Sequence, residues 1–190
     1  ALSLFPHPSD AFNKVAVTAG HSVGELTVAA GARAITAESA MVLVRERGKA
    51  MAEASARVAT GMSAVLGGER DLVIAAIEKF GLTAANENGA GQIVAAGDLA
   101  SLEQFSAHAP EGSRIRSLAV AGAFHTHYMS SAVERLAMLS RSVTVRDPRT
   151  RLLSNKDGAV IHNGREVLDR IVGQISNPDR KSTRLNSSHT

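Results

Sequence analysis

A strand that turns abruptly into a helix around one serine is the feature that most limits how this chain can fold. The run 15–18, Val-Ala-Val-Thr, leads into residues 20–24, Gly-His-Ser-Val-Gly, and residues 23–30 continue as a buried helix. We expect a side chain at either glycine to clash with the crowded backbone of such a nucleophile elbow. The elbow would expose the Ser22 hydroxyl and leave the Val23 amide at a helix N-terminus, where an oxyanion is favoured. A glycine-containing loop before a helix is the alternative interpretation.

A histidine at the end of an apolar segment is the candidate base for Ser22. We predict a strand over residues 114–120 that breaks at Gly122 and delivers His125 to the serine. The alternative is a structural histidine whose ring is hydrogen bonded within the fold. His127 has a spacing found in metal sites, but the chain has no cysteine and no third ligand stands out nearby. We therefore predict no metal.

An arginine lies on the apolar face of the next predicted helix. Residues 36–55 read as one helix with Thr36 as its N-cap, and the apolar stripe at steps of three and four includes Arg47. The guanidinium could extend to the rim or pair with Glu46 or Glu53, as surface arginines do. Held in an apolar cleft, it would instead suit bidentate capture of a carboxylate.

Five separated motifs, in their order and spacing, give the chain a resemblance to a known family. The motifs are Gly20-His-Ser-Val-Gly-Glu25, Arg47-Gly-Lys-Ala-Met51, Thr60-Gly-Met-Ser-Ala-Val-Leu-Gly67, Asn86-Glu-Asn with Gly91-Gln-Ile-Val94, and Gly122-Ala-Phe-His-Thr126. Across residues 15–178 the chain resembles the malonyl-CoA:acyl carrier protein transacylases of fatty acid synthesis. That resemblance implies that Ser22 is the acyl nucleophile, His125 its base and Arg47 the ligand of the malonyl carboxylate.

The same resemblance implies a ping-pong transfer from a coenzyme A thioester to the pantetheine thiol of an acyl carrier protein. Malonyl-CoA would be the substrate, and no cofactor is expected. In the related polyketide acyltransferase domains, a phenylalanine before the histidine accompanies malonyl rather than a branched acyl substrate, so the resemblance implies that Phe124 favours malonyl. Ordinary core packing is the alternative role for Phe124. The remaining predicted substrate-binding residues are His21, Val23 and Asn88, and for Asn88 a turn position is the alternative.

The order of predicted elements points to an α/β fold in two parts. A hydrolase-like parallel-sheet domain, incomplete in this chain, is expected over residues 14–59 and 121–178. Between them, residues 60–120 read strand, helix, strand, strand, helix, strand, the βαββαβ order of a ferredoxin-like subdomain. We also predict a loop over 87–91 and a helix over 165–175. The candidate site would lie in the cleft between the two parts.

Both ends of the chain depart from the family pattern. Residues 1–13 have no helical or strand period and read as a poorly defined leader. The resemblance implies an upstream Gly-Gln-Gly loop with the second oxyanion donor, and a glutamine beyond Asn177-Pro178 whose carbonyl orients the histidine; we expect both to be missing. Residues 179–190 match an in-frame translation of a sequencing adapter, so we interpret them as a non-native tail and the chain as a central fragment. A natural polar tail is the alternative.

Composition and charge exclude several classes of function. The 190 residues carry a net charge of +3, which falls to +1 without the last twelve residues, where three basic side chains and one acidic side chain lie. With 3% aromatic residues, this predicts no nucleic-acid binding. No apolar run approaches the ~20 residues of a membrane span, so we predict no membrane partner. The absence of cysteine fits a cytoplasmic protein.

Three other functions stay open on the sequence alone. An acyltransferase domain of a polyketide synthase is the nearest alternative, and only genomic neighbours would distinguish it. A serine esterase or thioesterase would share Ser22 and His125 but leave Arg47 without a role. An inactive fragment that only docks coenzyme A or the carrier protein would fit the expected loss of the oxyanion and orienting groups.

Overall fold

The computed structural model describes residues 14–89 and 91–180, so the predicted leader over 1–13 and the tail residues 181–190 lie outside the described residues. In chain order, the elements are β1 (Val17–Ala19), α1 (Gly24–Gly31), α2 (Ala37–Ser55), β2 (Thr60–Gly67), α3 (Arg70–Lys79), β3 (Thr83–Gly89), β4 (Gln92–Asp98), α4 (Leu99–Ala107), β5 (Ser113–Ser117), α5 (Ser130–Ser140), β6 (Arg151–Leu153), β7 (Val160–Ile161), α6 (Gly164–Gly173) and β8 (Asp179–Arg180). Short 3₁₀ helices over His127–Met129 and Gln174–Ser176 precede α5 and follow α6.

Strands β2 to β5 form an antiparallel sheet in the order β5-β2-β4-β3. Together with α3 and α4 this is the arrangement of a ferredoxin-like βαββαβ unit, which confirms the predicted fold of this part. Its main core lies between the sheet and the two helices, around Val65, Ile77 and Phe105. The division of the chain into domains at residues 60 and 120 stays a prediction.

The strand that leads to Ser22 belongs to a second sheet, of order β1-β6-β7. Strands β1 and β6 are parallel, with Thr18 opposite Leu152, and β6 pairs antiparallel with β7. Helices α1, α2 and α6 pack here through a core that includes Leu26, Leu43 and Leu168. Parallel strands must be joined by a long crossover connection. The ferredoxin-like unit lies within the connection from β1 to β6 and is therefore an insertion between these two strands.

Side-chain caps decide where several helices begin. Thr36 Oγ1 accepts a hydrogen bond from the Ser39 amide at 3.1 Å, which confirms the predicted N-cap of α2. Asp98 Oδ1 accepts from the Ser101 amide at 2.9 Å, and this bond holds the pKa of Asp98 below its ordinary value. Asp98 is therefore both the last residue of β4 and the N-cap of α4.

Strand β5 ends at Ser117, so the predicted strand over 114–120 is too long. The Leu118 amide still donates to the Met62 carbonyl at 2.9 Å, but the Val120 amide then donates to the Leu118 carbonyl and bends the chain away from the sheet. The chain therefore reaches the candidate base through an irregular segment, residues 118–126, rather than along a strand.

That irregular segment is anchored on the ferredoxin-like sheet. Ala123 is fully buried against Met62 and Val94, on the sheet face opposite to the α3 and α4 core. Its amide donates to Thr60 Oγ1 at 3.0 Å. The backbone two residues before His125 is thus fixed by the inserted unit.

Two further predicted bounds differ from the structure. Strand β3 continues to Gly89, because Glu87 and Gly89 still pair with β4 across a register shift, so the predicted loop over 87–91 is shorter. Helix α6 ends at Gly173 and gives way to the 3₁₀ turn, so the predicted helix over 165–175 stops early. Strand β8 falls in the predicted tail and pairs in parallel with β3; the non-native origin of that tail stays a prediction.

Candidate active site

The turn between β1 and α1 holds Ser22 in an uncommon backbone conformation. Ser22 has φ +51°, in the left-handed region that residues other than glycine seldom adopt. A Cβ atom at Gly20 would lie 2.3 Å from the backbone nitrogen of Glu25, so this close approach requires glycine. A Cβ atom at Gly24 would meet nothing within 4 Å, so the expected clash is wrong for Gly24.

The structure brings the predicted nucleophile and base into contact. Ser22 Oγ lies 3.0 Å from His125 Nε2, and the imidazole is 4% exposed. His125 Nδ1 lies 3.0 Å from the backbone carbonyl oxygen of Gln174. Because a carbonyl oxygen can only accept, Nδ1 carries a proton, and in the neutral ring Nε2 then presents its lone pair to the serine hydroxyl. This geometry suits a general base acting on Ser22.

The group that orients His125 is therefore present, and the expectation that it is missing is wrong. It lies before Asn177-Pro178, because the 3₁₀ turn after α6 directs two successive carbonyls at this residue. The Gln174 carbonyl accepts from the ring, and the Ile175 carbonyl accepts from the His125 amide at 3.1 Å. The resemblance implies a glutamine carbonyl in this role but places it beyond Asn177-Pro178, and a main-chain acceptor leaves no side-chain pattern that would fix its position.

Arg47 lies against the nucleophile. It is 8% exposed on the buried face of α2, and its Nη2 donates to Ser22 Oγ at 3.1 Å. The carboxylates weighed as its alternative partners both accept from Arg135 of α5 instead. The bond from Arg135 lowers the pKa of Glu46 below its ordinary value. The site thus places a buried guanidinium and an imidazole on one hydroxyl.

Three other predicted residues lie on the same segments as this group. The Val23 amide precedes α1, and no hydrogen bond to it is found among the described residues, so it can serve an oxyanion. His21 is exposed on the elbow. Phe124 is half-buried and packs against two apolar clusters, one that includes Met129 and Ile175 and one that includes Met62 and Val94, as a core residue does.

The structure does not join Asn88 to this group. Its side-chain amide donates to Gln92 Oε1 at 3.0 Å, between the ends of β3 and β4. Within residues 14–89 and 91–180, no hydrogen bond connects it to Ser22, Arg47 or His125. Its substrate-binding role stays a prediction.

His127 has a different environment from His125. Its ring centroid lies 4.2 Å from that of Tyr128. No group of three or more histidine, cysteine, aspartate or glutamate side chains that could hold a metal is found in the described part of the chain.

One buried carboxylate behind the elbow escaped the sequence analysis. Glu25 is 2% exposed and accepts from the Asn155 amide at 2.7 Å and from Gln174 Nε2 at 2.5 Å. Its place in the first turn of α1 gives it a favourable interaction with the helix dipole but identifies no partner. Its partners lie 130 and 149 residues away along the chain, beyond the reach of any local pattern.

The geometry of this site agrees with the comparison to known families. The acyl transferase domain family matches residues 13–164. The chain belongs to this family. Over 164 residues the acyl transferase domain is 46% identical to the malonyl CoA-acyl carrier protein transacylase of Mycolicibacterium smegmatis, with 86% of the chain and 57% of that relative covered. The chain spans about half the length of the curated relatives it matches.

Solved structures show the same fold as this acyl transferase domain. The crystal structure of MCAT from Mycobacterium tuberculosis has a TM-score of 0.85 at 42% identity, covering 90% of this chain and 56% of that one. A type II PKS acyl-carrier protein in complex with its malonyl-transacylase, PlMCAT:AntF, has a TM-score of 0.82 at 26% identity, covering 90% and 57%. These similarities confirm the predicted α/β fold class.

Proposed function

We propose that the domain belongs to a malonyl-CoA:acyl carrier protein transacylase of fatty acid synthesis, with Ser22 as nucleophile, His125 as base and Arg47 as carboxylate ligand. The observation that carries the proposal is that a base and a buried cation both lie within 3.1 Å of one hydroxyl. A serine and a histidine alone would suit many acyl transfers. The guanidinium narrows the choice to an acyl group that carries its own anion.

The structure of the malonyl group explains why the cation lies so close. One methylene separates its thioester carbonyl from its carboxylate, so a guanidinium in contact with the nucleophile can reach the carboxylate of the bound acyl group. Two parallel N–H donors match the two carboxylate oxygens. An acetyl group offers Arg47 no such anion in its apolar surroundings, which penalises binding of the wrong donor.

The first half-reaction would acylate Ser22. His125 Nε2 takes the hydroxyl proton as Oγ attacks the thioester carbonyl, and the Gln174 carbonyl stabilises the imidazolium through Nδ1–H. The Val23 amide donates to the oxyanion of the tetrahedral intermediate. The intermediate collapses by breaking the carbon–sulfur bond, His125 returns the proton to the departing thiolate, and coenzyme A leaves a malonyl ester on Ser22.

The second half-reaction would run the same steps from a different thiol. The pantetheine thiol of an acyl carrier protein gives its proton to His125 Nε2 and attacks the ester carbonyl. The bond to Ser22 Oγ breaks, His125 returns the proton to Oγ, and malonyl leaves on the carrier. No electrons are gained or lost in either half, so the proposed reaction needs no redox cofactor.

The test is intact-protein mass spectrometry after brief incubation of the complete protein with malonyl-CoA. We expect a malonyl mass increment on the protein, which digestion should locate on the peptide that contains Ser22, and its loss when an acyl carrier protein bearing free pantetheine is added. A folded sample that gains no increment would refute the proposal. An increment that water removes as fast as the carrier protein does would indicate a thioesterase.

Replacing Arg47 with Ala should remove the preference for malonyl. We expect the ratio of kcat/KM for malonyl-CoA to that for acetyl-CoA to fall by about 10²-fold, because only the malonyl group uses the guanidinium. The measurement is steady-state transfer from each donor. Arg45→Ala is the matched control, since Arg45 lies on the same helix but is exposed and paired with Glu46. Equal losses with both donors would contradict the assignment.

Transfer to a polyketide carrier protein is the second candidate. It is supported by the similarity to a malonyl-transacylase solved with a type II PKS acyl-carrier protein. The two candidates share every residue discussed above, so competition between the two kinds of carrier for malonylated protein would separate them. Phe124 supports malonyl as the acyl group in either case.

A cytoplasmic location is part of the proposal. The absence of cysteine from the sequence is consistent with it, because such a chain uses no disulfide framework. Among the helices of residues 14–89 and 91–180, none is both long and apolar enough to cross a lipid bilayer.

A further inference from the structure

We propose that Glu25 is a positioning residue of the reaction: through the side chain of Gln174 it holds the carbonyl that orients His125. This inference rests on the proposed function, since it assigns Glu25 a part in the acylation of Ser22. Glu25 touches none of the reacting atoms in the contacts described above. It acts on His125 through Gln174.

The Glu25 carboxylate is buried and surrounded by hydrogen-bond donors. It is 2% exposed, and burial of a charged group is costly unless donors surround it. One oxygen accepts from the Asn155 amide at 2.7 Å and the other from Gln174 Nε2 at 2.5 Å. Both oxygens are therefore committed, and the first turn of α1 adds a favourable dipole.

Gln174 contacts the site through both its backbone carbonyl and its side-chain amide. Its backbone carbonyl accepts from His125 Nδ1 at 3.0 Å, while its side-chain amide donates both to Glu25 and, at 3.3 Å, to the Ser22 carbonyl. Gln174 is 7% exposed and begins a 3₁₀ turn rather than lying inside α6. In a short turn at the end of a helix, the side-chain anchor helps to fix the direction of the carbonyl.

These contacts form a closed circuit of hydrogen bonds. It runs from Ser22 Oγ to His125 Nε2, from His125 Nδ1 to the Gln174 carbonyl, and from the Gln174 amide back to the elbow at Glu25 and the Ser22 carbonyl. The elbow thus holds the group that orients its own base. Loss of the Glu25 link leaves the 3.3 Å bond as the remaining side-chain contact of Gln174 with the elbow.

The test measures the single-turnover rate of Ser22 malonylation in the complete protein, for Glu25→Gln, Gln174→Ala and the double variant. At position 25, a glutamine has only one acceptor oxygen for the two donors, whereas Gln174→Ala keeps the backbone carbonyl but removes the anchor. We expect each single variant to acylate about 10- to 100-fold more slowly, at an unchanged half-saturating concentration of malonyl-CoA. The double variant should be no slower than the slower single one, because both remove the same link.

The matched control is Glu87→Gln. Glu87 is also a buried carboxylate, 8% exposed, but it pairs with Arg70 on the ferredoxin-like unit. We expect this variant to lose stability and keep the wild-type rate. If Glu25→Gln behaves like it, or if the losses in the double variant multiply, Glu25 does not act through Gln174 and the inference is overturned.

A second readout does not depend on malonyl-CoA. The Nδ1–H proton of His125 should give a hydrogen-bonded NMR signal that is weakened or shifted in Glu25→Gln and Gln174→Ala but not in Glu87→Gln. If the wild-type protein is not acylated, the proposed function fails, and this signal still decides whether Glu25 positions the ring. If Glu25→Gln does not fold, Gln174→Ala decides it, and an unchanged signal would overturn the inference.

Discussion

Replacing Ser22 with Ala is expected to abolish the malonyl adduct and to lower malonyl transfer by about 10⁴-fold or more. The hydroxyl is the only group in the described site placed between the base and the guanidinium, at 3.0 Å from His125 Nε2 and 3.1 Å from Arg47 Nη2. Removing it leaves both partners but no atom to carry the acyl group. Intact-protein mass spectrometry after incubation with malonyl-CoA provides the measurement.

The companion variant for this experiment is His125→Ala, which keeps the nucleophile and removes its base. An adduct should still form, but about 10²- to 10⁴-fold more slowly, the range typical of a lost general base. Slow acylation in one variant and none in the other would assign the two roles separately. A malonyl adduct that persists in Ser22→Ala would show that another residue is the nucleophile.

Replacing Gly20 with Ala is expected to lower the free energy of unfolding by about 4 kcal/mol or more, the range reserved for severe defects. The added Cβ would lie 2.3 Å from the Glu25 nitrogen and 2.3 Å from the Gly24 carbonyl carbon. Both are backbone atoms, so no side chain can move aside to relieve the contact. Denaturant unfolding followed by circular dichroism measures the change.

Gly24→Ala is the control for the same motif, with the opposite expected sign. Its Cβ would enter open space, and alanine is the better helix former at the first residue of α1. We expect a gain of about 0.5 to 1 kcal/mol in the free energy of unfolding. Similar losses at both positions would mean that the elbow requires both glycines.

The parts of the fold that could be predicted are those determined by local pattern. The period of the residues in α2 and the Thr36 cap identify that helix, and alternation between strand and helix patterns identifies the βαββαβ unit. The end of β5 could not be predicted, because apolar residues continue beyond it. It is decided by where the Leu118 and Val120 amides find acceptors, which is a tertiary matter.

The candidate site divides in the same way. The motifs identify Ser22, His125 and Arg47 as candidates, and helical spacing alone places Arg47 on a buried face. Whether Arg47 meets the serine or a carboxylate depends on Arg135, which is 88 residues away in sequence and takes both carboxylates. The resemblance implies a glutamine carbonyl as the orienting group, but its position at Gln174 depends on where the 3₁₀ turn lies in the fold, because every residue has a carbonyl.

The irregular segment before α5 is anchored by two different parts of the fold. Ala123 is fixed by Thr60 of the ferredoxin-like sheet and His125 by the carbonyls after α6, while Ser22 is carried by β1. The 3.0 Å contact between nucleophile and base therefore depends on the anchoring of Ala123 to the ferredoxin-like sheet as well as on the carbonyls after α6, and a displacement of about 1 Å can cost on the order of 10²-fold in rate. Substitutions on the sheet face under Ala123 should accordingly lower the rate of acylation although they lie away from the reacting atoms, and because these residues are buried they should lower the melting temperature as well. A survey of such mutations would identify residues that hold His125 in position rather than residues that bind the acyl group.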